Sequence, residues 1–152
     1  MTKLKKSRIK HRIAKSYNRF AFLYFVNARL IHDGITLDFP LLFDTGATHT
    51  GISRESFDQL GIDEIADKAP TITAIGTTYL PYGIVESLVL DGAVVMEQVR
   101  VNILSDQFFK DYYNAGYRNI GGILGGSFLS RIEFFMGYGV IDIFYEPKKT
   151  DI

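Results

Sequence analysis

Cysteine and tryptophan are absent from this 152-residue chain, and only three histidines are present. Without thiols there are no disulfides, no thiolate-bound zinc or iron–sulfur cluster and no cysteine nucleophile, and three imidazoles leave little for a protein zinc site. Long apolar runs are missing too. Residues 20–26 and 39–43 are the longest near-apolar stretches, far short of the roughly 20 residues that cross a bilayer, so no transmembrane helix is expected. With 47% hydrophobic and 22% charged residues, the composition is that of one globular domain able to bury roughly two thirds of its unfolded surface.

The zero net charge conceals an asymmetry. Residues 1–19 hold eight lysines or arginines and no acid, whereas residues 20–152 carry nine basic against seventeen acidic side chains, a net of −8. The arm is read as a partly disordered basic extension rather than a nucleic-acid-binding surface, because the body offers no matching basic patch. The basic start, "FAFLYFV" and the small residue Ala28 have the outline of a secretory signal, but seven apolar residues are the bottom of the permitted range and the basic region is long. A cytoplasmic location is therefore expected, with secretion or surface association through the basic N-terminus as the alternative. The domain is expected over residues 20–147, with a short tail at 148–152.

Along the body, strand signals dominate. Residues 20–31 are rich in aromatic and β-branched side chains; Asp33-Gly34 gives a turn, and Ile35, Leu37 and Phe39 then alternate with Thr36 and Asp38, which predicts a hairpin. Pro40 has no amide hydrogen to donate, so the second strand is expected to bend or meet an edge there. Ser53 is placed as an N-cap and Gly61 as a terminator for a short helix over 54–60. Residues 71–104 predict three or four strands broken at Gly76, Pro81-Tyr82-Gly83 and Asp91-Gly92. In 105–119 the pairs Phe108/Tyr112 and Phe109/Tyr113 stand at i,i+4 and predict a helix ending near Gly116. A short helix at 127–130 and strands near 131–136 and 140–145 complete a mainly β domain with short inserted helices.

Asp44 follows five residues of which four are apolar, so its carboxylate leaves a core strand for a turn, where Gly46 permits close approach. "DTG" alone reads more readily as an Asx-turn than as a catalytic motif. Thr45, Thr48 and Thr50 add hydroxyls, and a glycine-rich apolar segment, residues 121–126, lies about 80 residues downstream with a short helix after it. With "LLFDTGATHTGI" at 41–52 and "GILGGSFLSRIEF" at 122–134 in this order, the chain resembles the single-domain, retroviral-type (retropepsin-like) aspartic proteases over about residues 20–145.

The resemblance implies a closed barrel of antiparallel strands with a flap hairpin, in which Asp44 matches the catalytic aspartate and Thr45 the residue knitting two catalytic turns together. Gly46 and Ala47 match the residues that complete the turn, and Leu124-Gly125 the segment packed beneath it. Ile75-Gly76-Thr77 falls where the flap tip or its flank belongs. It further implies an aspartic endopeptidase acting on peptide or protein substrates without metal or other cofactor.

Such chemistry needs two carboxylates sharing one proton around a water, because two like charges about 3 Å apart cannot both ionise. This chain holds one Asp-Thr/Ser-Gly; neither Asp33-Gly34 nor Asp91-Gly92 has the intervening hydroxyl. A homodimer with Asp44 near the twofold axis supplies the second carboxylate. A catalytically silent dimerisation or peptide-binding module is the alternative. Other chemistries are weaker: His49 has no G-x-S-x-G partner and reads as structural, the 121–126 glycines lack the Lys-Ser/Thr of a phosphate loop, and Asp63, Glu64 and Asp67 lack calcium-loop spacing. Tyr79 and Tyr82, near the flap, read as cleft lining or as strand packing.

Overall fold

The computed structural model describes residues 9–13, 17–18, 23–65, 69–73, 76–137 and 139–146. In chain order the elements are β1 (Ile9–Ile13), β2 (Tyr17–Asn18), β3 (Leu23–His32), β4 (Ile35–Phe43), β5 (Thr50–Ile52), α1 (Arg54–Leu60), β6 (Ala69–Thr73), β7 (Gly76–Leu80), β8 (Tyr82–Leu90), β9 (Val94–Ile103), α2 (Asp106–Asn114), β10 (Gly122–Leu124), α3 (Gly126–Leu129), β11 (Glu133–Gly137) and β12 (Val140–Tyr145). The main sheet runs β2-β3-β4-β10-β5-β9-β8, and β8 pairs back onto β3. That last pairing closes a barrel of six strands, β3 to β8, and leaves β2 as an appended edge.

The barrel is mixed, which corrects the expectation of antiparallel strands throughout. Four seams are antiparallel, but β4–β10 and β5–β9 are parallel. Parallel neighbours need crossover connections rather than tight turns. Here the long excursions between β4 and β10 and between β5 and β9 supply them.

Local chemistry explains the turns and helix ends. Asp33 and Gly34 both take positive φ, 48° and 77°, so a two-residue loop joins His32 to its partner Ile35 with the twist a hairpin needs. Ser53 caps α1, its Oγ accepting the Ser56 N–H at 3.0 Å, and Gly61 closes the helix at φ 70°. Phe57 and Leu60 lie one turn apart and are both buried, each worth roughly 1.5–3 kcal/mol of burial.

β4 runs unbroken through Pro40, and of the two expectations the edge is met: β10 pairs with β4 only from Leu41 onward, so up to Pro40 the outer side of the strand is an edge among the described residues. Pro40 stands opposite Asn27, whose carbonyl accepts the Asp91 N–H at 2.8 Å on the β8 side, while the Pro40 carbonyl accepts the Gly121 N–H at 2.8 Å on the β10 side. In an antiparallel ladder both backbone groups of a residue point the same way, so the missing Pro40 N–H faces away from β3 and removes no β3–β4 hydrogen bond.

The basic arm also departs from the sequence reading. Residues 9–13 are not a disordered extension but β1, paired with β12 in a second sheet of order β1-β12-β11. Ile13 is buried, and Arg12 makes a two-pronged bond to the buried Asp142, Nε to Oδ1 at 2.7 Å and Nη2 to Oδ2 at 3.0 Å. That hydrogen bonding, with the Arg12 charge, holds the Asp142 carboxyl below the usual carboxylate range against the opposing effect of burial. His11 reaches Asp91 at 2.8 Å. Ile13, Ile141 and Ile143 join the barrel interior in one continuous core with Val26, Leu30, Leu124 and Phe128.

Candidate active site

The two sequence segments singled out, one ending at Asp44 and the other at Leu124-Gly125, meet at one end of the barrel. β10 lies between β4 and β5, with Leu41, Leu42 and Phe43 opposite Gly122, Ile123 and Leu124. Phe43 is buried and Asp44, one residue past the strand, is partly exposed. The Asp44 N–H donates to the Leu124 carbonyl at 3.0 Å, and the Asp44 carbonyl accepts the Ala47 N–H at 3.2 Å. Gly46 N–H donates to Asp44 Oδ1 at 2.9 Å. The Asx-turn and the candidate catalytic turn are thus one object, because the bond that organises the loop also aims the carboxylate. Thr45 is exposed at its tip.

A second layer of bonds locks the loop from below. Gly126 N–H donates to the Ala47 carbonyl at 2.9 Å, and Gly125 N–H donates to the buried Thr50 Oγ1 at 3.1 Å. Thr50 N–H in turn donates to Ser127 Oγ at 2.8 Å, and that hydroxyl donates to the Arg100 carbonyl at 2.9 Å. Among the three threonines read as turn organisers, Thr50 performs that role in these bonds. Ser127 was not anticipated: nothing distinguishes it in sequence from any serine beginning a helix. The glycines beside it have a steric cause, since a Cβ at Gly125 would lie 2.5 Å from the His49 carbonyl oxygen and one at Gly126 2.5 Å from that of Thr48.

His49 forms a different arrangement from any nucleophilic triad. Thr50 pairs in parallel with Val101, which sets His49 beside Arg100, one residue earlier on each strand. His49 Nδ1 and Arg100 Nη2 are both buried without a hydrogen-bond partner. Burial, reinforced by the Arg100 charge, lowers the His49 pKa, so this imidazole is neutral at neutral pH. Arg100 lays its guanidinium 3.8 Å from the centre of the Tyr82 ring, and its Nε donates to Asn102 Oδ1 at 3.2 Å. Tyr79 is 62% exposed.

Of the candidate flap, Gly76 and Thr77 begin β7, which pairs with β6 so that Gly76 faces Thr73. Ile75 lies outside the described residues. The inserted α2 carries a string of aromatic contacts toward Asp44: ring centroids of Phe108 and Tyr112 are 4.7 Å apart, Tyr112 and Tyr117 6.0 Å, and Tyr117 and Phe25 5.0 Å. Among the described residues no three or more His, Asp or Glu side chains converge as a metal site, and no helix is long and apolar enough to cross a membrane.

A single carboxylate held at a strand end by a threonine–glycine turn, and braced by a glycine-rich strand, is the arrangement aspartic proteases use. The aspartyl protease family model matches residues 28–128, a span containing both segments, and the chain belongs to that family. Its fold is retropepsin-like. The crystal structure of a retropepsin-like aspartic protease from Rickettsia conorii superposes with a TM-score of 0.59 at 20% identity, covering 94% of this chain and 97% of that one. No curated protein matches the sequence.

Proposed function

We propose that the protein is an aspartic endopeptidase whose active species is a homodimer, with Asp44 of each protomer facing the other across a twofold axis. The observation that carries this reading is the incomplete site. Each chain presents one turn-held carboxylate, with Oδ1 engaged by Gly46 N–H at 2.9 Å, while the chemistry requires two. In the dimer the facing carboxylates hold one proton between them. The ionised member takes a proton from the bound water as the water oxygen bonds to the scissile carbonyl carbon. The protonated member hydrogen-bonds the developing oxyanion and then assists departure of the amine as the C–N bond breaks. Thr45 at the exposed tip bridges the two turns, and the β6–β7 hairpin covers the bound peptide as the flap.

Incubating a peptide library with the wild-type chain and with Asp44→Asn tests this reading. Cleavage that depends on Asp44, with activity lost on dilution as the dimer dissociates, is the expected result. Peptide binding by both proteins without cleavage by either supports the alternative, a silent peptide-binding module. Full specific activity from a strict monomer refutes the shared site.

A further inference from the structure

α2 raises a question that the barrel does not answer. Four of its nine residues are Phe108, Phe109, Tyr112 and Tyr113, yet none of its side chains is fully buried. Phe109 has a use, since it lines a groove with Phe39, Arg54 and Gly121. Phe108 and Tyr112 face a different neighbour. The Tyr117 N–H donates to the Tyr112 carbonyl at 2.9 Å and folds the chain back, so that Tyr117 rests against Phe25. Phe25 stands opposite Leu42, two residues before Asp44. The aromatic string therefore ends beside the catalytic turn.

Tyr112 is half-buried, and its hydroxyl makes no hydrogen bond among the described residues. Burial first, and then the Asp44 charge, raise the Tyr112 pKa, which keeps the phenol a protonated donor within electrostatic reach of that carboxylate. That hydroxyl is not among the buried polar atoms left unpaired, so it is open to water and to a ligand acceptor that takes the water's place. An extended peptide offers backbone carbonyls at every residue, about 3.3 Å apart along the chain.

We propose that Tyr112 is a positioning residue for substrate: its phenol O–H donates to a backbone carbonyl of the peptide lying across Asp44, with Tyr117 and Phe25 holding the ring in place. The inference rests on the protease reading of the same site. It assigns a role to the 105–119 insertion, whose ring contacts run from Tyr112 through Tyr117 to Phe25 of β3.

The test uses full-length protein and one decapeptide selected from a library by wild-type cleavage or, failing cleavage, by binding to the wild-type chain. Tyr112→Phe keeps the ring and removes the donor. Its kcat/KM should fall about five- to tenfold through KM, with kcat and both limbs of the pH profile unchanged, as expected for loss of a bond made equally in the ground and transition states. In parallel, calorimetry should show the same factor between Asp44→Asn and the Asp44→Asn/Tyr112→Phe double variant, where no hydrolysis intervenes. KM and binding within twofold of the parent overturn the proposal. So does a shifted acid limb at constant KM, which would mean that the phenol acts on Asp44 rather than on the peptide. If the wild-type chain cleaves nothing, the protease reading falls and the calorimetric pair alone decides Tyr112: the same weakening supports it, and equal or absent binding overturns it.

Discussion

Gly125→Ala is the substitution that most directly probes how the catalytic loop is held. The added methyl would lie 2.5 Å from the His49 carbonyl oxygen, 2.7 Å from its carbon and 2.9 Å from the Ala47 carbonyl oxygen. All three atoms are backbone, so no side-chain rotation relieves the contact, and the closest is about 0.9 Å inside ordinary van der Waals separation. The loop must move outward. It can do so only by stretching Gly126 N–H to Ala47 O at 2.9 Å and Gly125 N–H to Thr50 Oγ1 at 3.1 Å, the bonds that brace it. Overpacking of this kind costs about 1–3 kcal/mol, or roughly 2–12 °C in Tm for a chain of this size. Displacing a catalytic group by about 1 Å costs about a hundredfold in rate. Thermal unfolding and peptide cleavage, measured well below Tm, should therefore show a modest loss of stability and a disproportionate loss of kcat/KM. Leu88→Ala is the control. It empties a buried site near the opposite end of the barrel, where Leu88 faces Leu30 and Met96, and should cost about 2–5 kcal/mol with little loss of rate per folded molecule. Wild-type stability and turnover in Gly125→Ala, or equal rate losses in the two variants, would refute the reasoning.

Three further outcomes follow from the same structure. Gly46→Ala places its methyl against a side-chain atom only, Asp44 Oδ1 at 3.3 Å, so calorimetry should find Tm within about 3 °C of wild type while cleavage falls at least tenfold; unimpaired cleavage would break the link between Gly46 and carboxylate aim. Deleting residues 1–17 removes β1, and the lost burial of Ile13 alone, 3% exposed, should cost roughly 1.5–3 kcal/mol or about 3–12 °C; an unchanged Tm would show that β1 adds nothing to the fold. His49 refuses in the folded state a proton that the unfolded chain accepts, so its contribution is intact above about pH 6.5 and is lost as pH falls below that value toward the lowered folded pKa. Urea unfolding at pH 7.5 and pH 5 should show a smaller acid-side loss in His49→Gln than in wild type, and equal losses would count against a buried neutral imidazole.

Much of the architecture was legible because it is set by neighbours in the chain. Asp33-Gly34 and Asp91-Gly92 made turns since those residues accept positive φ, and Ser53 and Gly61 bounded α1 through bonds spanning three or four residues. The candidate site was legible for a related reason. A carboxylate after an apolar strand and a glycine-rich segment downstream each carry a local signature, although their meeting rests on the parallel pairing of β4 with β10.

Other features have no local signature. β1 depends on β12, about 130 residues away, and the basic side chains that suggested a solvated arm include Arg12, whose charge is consumed by Asp142. Charge composition counts such residues but cannot say which carboxylate they will meet. Pro40 looked like an interruption because its missing N–H matters only if that side of the strand carries the ladder, a question of register. The i,i+4 aromatics announced α2 as a helix without indicating that Tyr112 would pack on Tyr117 and, through it, reach Phe25 of β3. Helical periodicity specifies which side chains share a face; which neighbour that face meets is decided by where β9 ends and β10 begins, and so by closure of the whole barrel.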